Sequence, residues 1–268
     1  MKTYVITGAT SGIGKALAET LSKGNQVYAG YRNPDKKNEL NYNDMTPFYV
    51  DYTIPETISK AAEFIMTNTS KIDTLMNVAG CVTAGAVECI PVSELRRQFE
   101  VNVFGHIDFT QRLLPLLENG KIINISSMAS FGLFPFISPY CASKRALDIM
   151  FNSLGLEIKQ NTKVISIKPG AISTPIWSKA IEENSQTIKK CEKYFKETRY
   201  LIKNAMKNEC CGQDVKKVRD KIIRIDSLKN PKPSYCIGFD SVMASFFSHI
   251  PQKFLNKMIK FRLNKITD

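Results

Sequence analysis

A doubly wound α/β fold is what the sequence predicts: a mainly parallel, seven-stranded sheet with helices on both faces. Three observations carry that expectation. Short apolar runs bounded by turn residues alternate with segments of helical spacing through residues 1–174, and such alternation requires parallel strands joined by right-handed crossovers. The strand runs are apolar almost without a break, as strands buried on both faces must be. A glycine loop, "TGATSGIG" (7–14), stands between the first strand and the first helix, where doubly wound sheets bind their ligands.

Each element has its own signature. "TYVIT" (3–7) is a short buried-strand run, and "KALAETLSKG" (15–24), behind the glycine loop, has helical spacing. "NQVYAGYR" (25–32), "PFYVDYT" (47–53) and "IDTLMNVAG" (72–80) give strands two to four, each set off by turn residues. "GKIINISS" (120–127) and "TKVISIKPG" (162–170) give the fifth and sixth, and helical segments at 55–68, 93–117 and 139–160 lie between the strands. After Pro175 the pattern changes: residues 178–226 are helical and lysine-rich, without a clear strand. "PSYCIG" (233–238), introduced by the proline-broken "KNPKP", is the last strand, and residues 251–266 form an amphipathic helix. With no internal repeat, low-complexity tract or linker, the 268 residues are expected to form one domain.

An apolar fraction of 43% and a charged fraction of 23% place the chain among ordinary globular proteins with a sizeable core. No run reaches the apolar length that crosses a bilayer. The sequence opens on a strand and a glycine loop rather than a secretory leader, so a cytoplasmic protein is expected. The seven cysteines include no CxxC pair, and His106 and His249 are the only histidines. A disulfide framework, a metal centre and a histidine-based triad are therefore not expected, and most of the cysteines read as free buried thiols. Charge is uneven: residues 1–177 carry 17 Lys/Arg against 15 Asp/Glu, and residues 178–268 carry 20 against 10. Such a basic last third attracts nucleic acid, anionic lipid or anionic substrates, or is simply a lysine-rich solvated surface. No aromatic-interleaved arrangement accompanies it, so nucleic-acid binding is not expected.

Gly8, Gly12 and Gly14 permit a tight turn and a close approach of backbone to a diphosphate, while the helix N-terminus behind them supplies unpaired N–H groups. A merely structural turn is the alternative, since the spacing is G-x-x-x-G-x-G. The second strand ends "AGYRNPDKK", with Arg32 and no carboxylate before Asp35. A carboxylate there would bind ribose hydroxyls, whereas arginine offers a planar fork of donors to a 2′-phosphate. NADP(H) is accordingly preferred over NAD(H). In "SPYCASKRALDIM" (138–150), Tyr140 and Lys144 stand four apart, hence on one helical face. Phenol and ammonium converge there, either as a solvated pair or as a proton donor with its cation.

Together these motifs resemble the short-chain dehydrogenase/reductase family, in its single-domain Rossmann branch. "TGATSGIG" (7–14), Asp51 in "VDYT", "NVAG" (77–80), Asn102 in "VNVFG", Ser127 in "NISS", Tyr140-x-x-x-Lys144 and "PGAIST" (169–174) occur in order. One departure is Val78, where the family usually has asparagine. The resemblance implies that Tyr140 gives a proton to a carbonyl oxygen during reduction, or removes it in the reverse direction. A free phenol titrates near pH ~10; Lys144 is expected to lower that value and to hold the nicotinamide ribose. Ser127 is implied to hydrogen-bond the substrate oxygen, and Asn102 to hold a water linking Lys144 to solvent. For the cofactor, the resemblance implies Gly8, Ser11, Gly12, Ile13 and Gly14 at the diphosphate. It implies Arg32 at the 2′-phosphate, Asp51 at the adenine amine, and Asn77 and Gly80 on the adenosine side. Pro169, Ile172 and Thr174 would meet the nicotinamide beside Tyr140 and Lys144.

The same resemblance divides the chain into a cofactor-binding and catalytic core (1–174), a helical substrate lid (175–232), and the last strand with a basic helix (233–268). Phe131, Leu133, Phe134, Phe136, Ile137 and Trp177 are candidates for a pocket above the nicotinamide, with core packing as the alternative for any one aromatic. Ser127, Phe134, Tyr140 and Trp177 are the expected substrate contacts. A mostly apolar wall suits a lipophilic alcohol, ketone or aldehyde. The tail is similar to that of the 17β-hydroxysteroid and retinol dehydrogenase-like subgroup, which implies a steroid, retinoid or other long apolar substrate. A homo-oligomer is expected. So is weak peripheral contact of residues 251–266 with an anionic membrane, against the alternative of packing on the sheet or a partner subunit. The competing function is a non-catalytic NADP(H)-sensing module, which has no need of the Ser127–Tyr140–Lys144 set.

Overall fold

Seven strands make one sheet in the computed structural model, which describes residues 1–40 and 44–267. They are β1 (Thr3–Ile6), β2 (Gln26–Tyr31), β3 (Met45–Tyr49), β4 (Thr74–Asn77), β5 (Lys121–Ile125), β6 (Lys163–Pro169) and β7 (Ser234–Ile237). Their spatial order is β3-β2-β1-β4-β5-β6-β7, and every pairing is parallel. The order reverses beside β1, which leaves a crevice at the carboxyl ends of β1 and β4.

Side-chain alternation builds a core on each face. Tyr4 and Ile6 of β1 pack beneath Leu17, Ala18 and Leu21 of α1 (Gly12–Leu21) and Val218, Ile222 and Ile225 of α9 (Val215–Ser227). Val5 points the other way, toward α2 (Pro55–Asn68), α4 (Gly105–Leu113) and α5 (Ser138–Glu157). On α2 the buried Ile58, Ala61, Ala62 and Ile65 are a single apolar stripe at helical spacing, and Pro55 opens the helix with φ already set.

Several expectations are corrected. The segment 93–117 is not one helix: α3 (Val92–Phe99) passes into a π-helical stretch at Glu100–Phe104 before α4, and a 3-10 turn follows at Leu114–Leu116. The third strand stops at Tyr49, because Asp51 accepts hydrogen bonds from the backbone and hydroxyl of Thr53 at 2.9 and 2.7 Å and turns the chain out of the ladder. Residues 175–232 are not of one kind: α6 (Ile176–Glu183), α7 (Ser185–Lys189) and α8 (Phe195–Cys211) follow Pro175, whereas α9 buries Val218, Ile222 and Ile225 in the core and is the crossover helix between β6 and β7. A further helix, α10 (Phe239–Phe247), precedes the expected C-terminal one, α11 (Gln252–Thr267). Cys81 and Cys141 are free and buried, but Cys89 and Cys191 are joined as a disulfide, Cα to Cα 6.0 Å, that ties the connection between α7 and α8 to the segment after β4. A sequence separation of 102 residues leaves no spacing signal for such a pair.

Asp226, at the end of α9, anchors that helix to the sheet. Its buried carboxylate accepts from the Tyr4 hydroxyl at 2.9 Å and the Thr74 hydroxyl at 2.6 Å, with Lys2 at 3.4 Å. Asp226→Ala strands two buried hydroxyls, each costing ~1–3 kcal/mol. Chemical denaturation should show a loss of ~2–6 kcal/mol, whereas Asp220→Ala on the exposed face of α9 should change stability by less than about 0.5 kcal/mol.

Candidate active site

The turn from β1 into α1 is shaped by its glycines. Gly8 and Gly12 have φ of +66° and +54°, a region that side chains avoid. A Cβ on Gly8 would lie 3.0 Å from the Ala79 backbone, and one on Gly14 would overlap the Gly8 carbonyl. Ser11, the residue before α1, makes no side-chain cap, so the first N–H groups of that helix face the crevice uncapped. The crevice is a cleft of about 460 Å³ lined by Gly8, Ser11, Gly12 and Ile13 at one wall. Across it stand Gly80, Pro169, Ile172 and Thr174; a Cβ on Gly12 would come within 3.3 Å of the Thr174 methyl. A backbone cradle beneath a helix N-terminus is the chemistry a diphosphate requires.

At one end of the cleft are Arg32, Lys36 and Asp51. Arg32 is half-exposed and lies 3.9 Å from Glu183 of α6, which also pairs with Arg97 at 3.3 Å. Lys36 pairs with Glu39 at 3.4 Å. Two cations, one just after β2 and one in the 3-10 turn Pro34–Leu40, fit a phosphate monoester, with the Glu183 carboxylate as its competitor for Arg32.

At the other end are Ser127, Tyr140 and Lys144. The 3-10 turn at Met128–Phe131 aims Ser127: its Oγ accepts from the Ala129 N–H at 3.1 Å, which leaves the hydroxyl proton to donate. Tyr140 and Lys144 are both buried on α5, and Lys144 Nζ sits 5.9 Å from the Tyr140 ring centroid. Lys144 donates to the Ile125 carbonyl at 2.8 Å. Burial pushes its pKa down to about 8, against the Asp148 carboxylate, which works in the opposite sense. Against the expectation that Lys144 sets the phenol, burial is the largest influence and raises Tyr140 to about 12, with the Ser127 hydroxyl pulling it down. A phenol held in its protonated form is suited to giving a proton rather than taking one.

The family model for the short chain dehydrogenase matches residues 2–185. The chain belongs to the short-chain dehydrogenase family. It is similar along its whole length to the NADPH-dependent 3-dehydrocapnine reductase of Ornithobacterium rhinotracheale, 33% identical over 100% of this chain and 99% of the relative. It is also similar to the 3-ketodihydrosphingosine reductase of Bacteroides thetaiotaomicron, 32% identical over 85% of this chain and 84% of that one. Among solved structures, a short-chain dehydrogenase from Burkholderia cenocepacia in complex with NADP superposes with a TM-score of 0.75 at 22% identity, covering 96% of this chain and 98% of that one. Membership makes the protein an oxidoreductase, and the likeness in structure is one of fold.

Not every expected residue of this dehydrogenase reaches the cleft. Asn77 is fully buried and donates to Asn124 at 2.8 Å and Thr110 at 3.1 Å; directly opposite Asn124 in the β4–β5 register, it joins strands instead of touching adenosine. Gly14 lies under the loop and serves its packing. Asn102 is held on three sides: Oδ1 accepts from the Cys81 N–H at 2.9 Å, and Nδ2 donates to the Cys81 carbonyl at 3.1 Å and Ser143 Oγ at 3.0 Å. These bonds fix the backbone at Cys81, next to Gly80, where a Cβ would meet Asn102 Oδ1 at 3.4 Å and Lys144 Nζ at 3.5 Å. Phe134 lines a second, neighbouring cavity and not the cleft, whereas Trp177 lines both. Sequence reasoning missed Lys36 and Glu183, whose lone charges carry no motif. It also passed over His106, buried with Nε2 2.8 Å from the Ala79 carbonyl. Burial, with Lys144 nearby, depresses that imidazole to about 3, so it stays neutral and positions the floor of the cleft. Among the described residues no cluster of three or more His, Cys, Asp or Glu is placed to hold a metal ion.

Proposed function

We propose that this dehydrogenase is an NADPH-dependent reductase of a long, lipophilic ketone, with Tyr140 as the proton donor. The observation that carries the reading is the join between two cavities. A cavity of about 820 Å³, walled by Leu133, Phe134, Ile137, Ile181, Leu201 and Met243, shares Val82, Trp177 and Ala180 with the dinucleotide cleft. Tyr140 packs against Val82 and Ala180, so the phenol stands where an apolar chamber meets the cofactor. Sites of this size and character take drug-sized or lipid-sized apolar molecules.

The cofactor, when bound, supplies the hydride. The chain's own residues do the remainder: Ser127 donates a hydrogen bond to the substrate oxygen, Tyr140 gives that oxygen its proton, and Lys144 holds a positive charge beside the phenol and orients the ribose. Arg32 and Lys36 receive the 2′-phosphate, which supports NADPH over NADH. The similarity to a 3-dehydrocapnine reductase along the whole length and to a 3-ketodihydrosphingosine reductase over 85% of this chain supports a long-chain ketone.

The test is a matrix of cofactors and ketones read at the nicotinamide absorbance. Long-chain 3-ketones of the 3-ketodihydrosphingosine type should be reduced with NADPH at a kcat/KM at least about tenfold above steroidal and small ketones, a difference of ~1.4 kcal/mol in transition-state binding. Equal rates on small polar ketones would remove the substrate assignment. Arg32→Ala with Lys36→Ala should cut the NADPH-over-NADH ratio by about 10–100-fold, the worth of a charge-assisted hydrogen bond or two. An unchanged ratio would show that the 2′-phosphate is held elsewhere.

A further inference from the structure

We infer that the outward faces of α10 and α11 form a docking surface for an anionic lipid bilayer. On α10, Phe239, Val242 and Phe246 lie along one face at helical spacing, and the two phenylalanines are 81% and 69% exposed. On α11, Phe254, Met258 and Phe261 do the same, with Phe254 and Phe261 62% and 63% exposed. These residues are additional to an inward stripe: Leu255, Ile259, Leu263 and Ile266 already satisfy the helix by lining the apolar cavity. An amphipathic helix of a water-facing protein buries one stripe and presents polar groups elsewhere. Here α11 has a second apolar stripe turned to solvent.

Charge names the occupant. Helix α11 carries Lys253, Lys257, Lys260 and Lys265, besides Arg262, which turns to the cavity and donates to the Tyr200 hydroxyl at 3.1 Å, and no acidic residue. The one acid of α10, Asp240, is turned to the protein, where it accepts from the Ala171 N–H at 2.6 Å and the Ser241 N–H at 3.0 Å. Lys265 Nζ lies 4.7 Å from the Phe261 ring centroid, so cation and aromatic share a patch. Exposed phenylalanines with lysines on the flanks of the same helix suit the boundary of an anionic leaflet, where rings enter the acyl edge and ammonium groups reach the phosphates. A second copy of the chain fits less well, because a twofold contact would face two acid-free helices with like charges. No helix among the described residues is long and apolar enough to cross a membrane, so the mode of contact is lying on the surface.

Phe239, Phe247 and Met258 also border the 820 Å³ cavity, which places its rim within the docking face. A lipophilic ketone would then pass from bilayer to cavity without crossing water; that consequence rests on the proposed substrate class, while the docking itself does not.

Vesicle flotation of the full chain, without cofactor or substrate, tests the inference. The protein should float with vesicles of phosphatidylcholine and phosphatidylglycerol in equal parts at low salt, and remain at the bottom with phosphatidylcholine alone. High salt, the pair Lys257→Gln/Lys260→Gln and the pair Phe254→Ser/Phe261→Ser should each lower the floated fraction by about tenfold, with circular dichroism confirming that the variants fold. No flotation on the anionic vesicles at low salt overturns the inference, as does wild-type flotation by the folded phenylalanine variant. If wild type sediments as a dimer that this variant dissociates, and neither floats, the face belongs to a second copy. Because the readout contains no turnover, a failed docking leaves the reductase reading standing, and a failed ketone screen leaves the docking standing.

Discussion

Tyr140→Phe should lower kcat for ketone reduction by about 10²–10⁴-fold, the usual contribution of a positioned general acid, while the dissociation constant for NADPH stays within about twofold of wild type. That loss corresponds to ~3–5 kcal/mol of barrier. The substitution is a clean one here. The ring is 8% exposed and packs among Val82, Ala129, Cys141 and Ala180, so phenylalanine fills the same volume and only the O–H disappears. The direction of the effect follows from the electrostatics: with the phenol raised to about 12 by burial, nearly every molecule at neutral pH holds the proton that reduction consumes. Oxidation needs the phenolate instead, so the reverse rate should be small at neutral pH and climb as pH approaches that value. Steady-state rates at the nicotinamide absorbance and a fluorescence titration of NADPH separate the two quantities. A variant retaining more than about a tenth of the wild-type kcat would take the proton transfer away from Tyr140.

The parts of this site that were legible in the sequence are those whose chemistry constrains neighbours along the chain. The glycine loop shows itself because Gly8 and Gly12 must take positive φ and Gly14 must clear a carbonyl, all within one turn. Tyr140 and Lys144 show themselves because a helix brings fourth neighbours onto one face. Strand cores were readable because burial on both sides writes continuous apolar runs. What stayed hidden depends on partners far away in sequence. Asn77 reads as a cleft residue until Asn124 is seen across the β4–β5 ladder at 2.8 Å. The split of 93–117 coincides with Asn102 clasping the Cys81 backbone from within the π-helical stretch, a contact that leaves the helical periodicity of the sequence intact. Helix α9 reads as lysine-rich surface by composition, yet Val218, Ile222 and Ile225 at helical spacing put it on the sheet. Around Tyr140 the sequence displays the lysine one turn away but not the depth of burial that raises the phenol.

The pH dependence of reduction should be set by Lys144 and not by the phenol. As pH rises, Lys144 passes from ammonium to amine, and burial has brought that step down to about 8; Tyr140 keeps its proton well beyond it. The log of kcat/KM is therefore expected to be level at neutral pH and to fall with a single-proton limb above about 8, the free-enzyme value that this parameter reports. Lys144→Met removes the charge at every pH, so it should cost about 10²–10³-fold, as for loss of one preorganised donor, and abolish the limb. Lys144→Arg keeps a charge that does not titrate in this range; its activity should drop because the guanidinium does not fit the slot where Nζ meets the Ile125 carbonyl, but its profile should be flat. Asp148 gives the sharpest discrimination. It opposes the burial effect on Lys144 and is paired with buried Lys168 at 3.1 Å, so Asp148→Asn is made together with Lys168→Met to leave no orphaned buried charge. With the carboxylate gone, the ammonium loses its support and the limb should move to lower pH. A limb that stays in place, or one that follows Tyr140→Phe instead, would assign the titration to a different group.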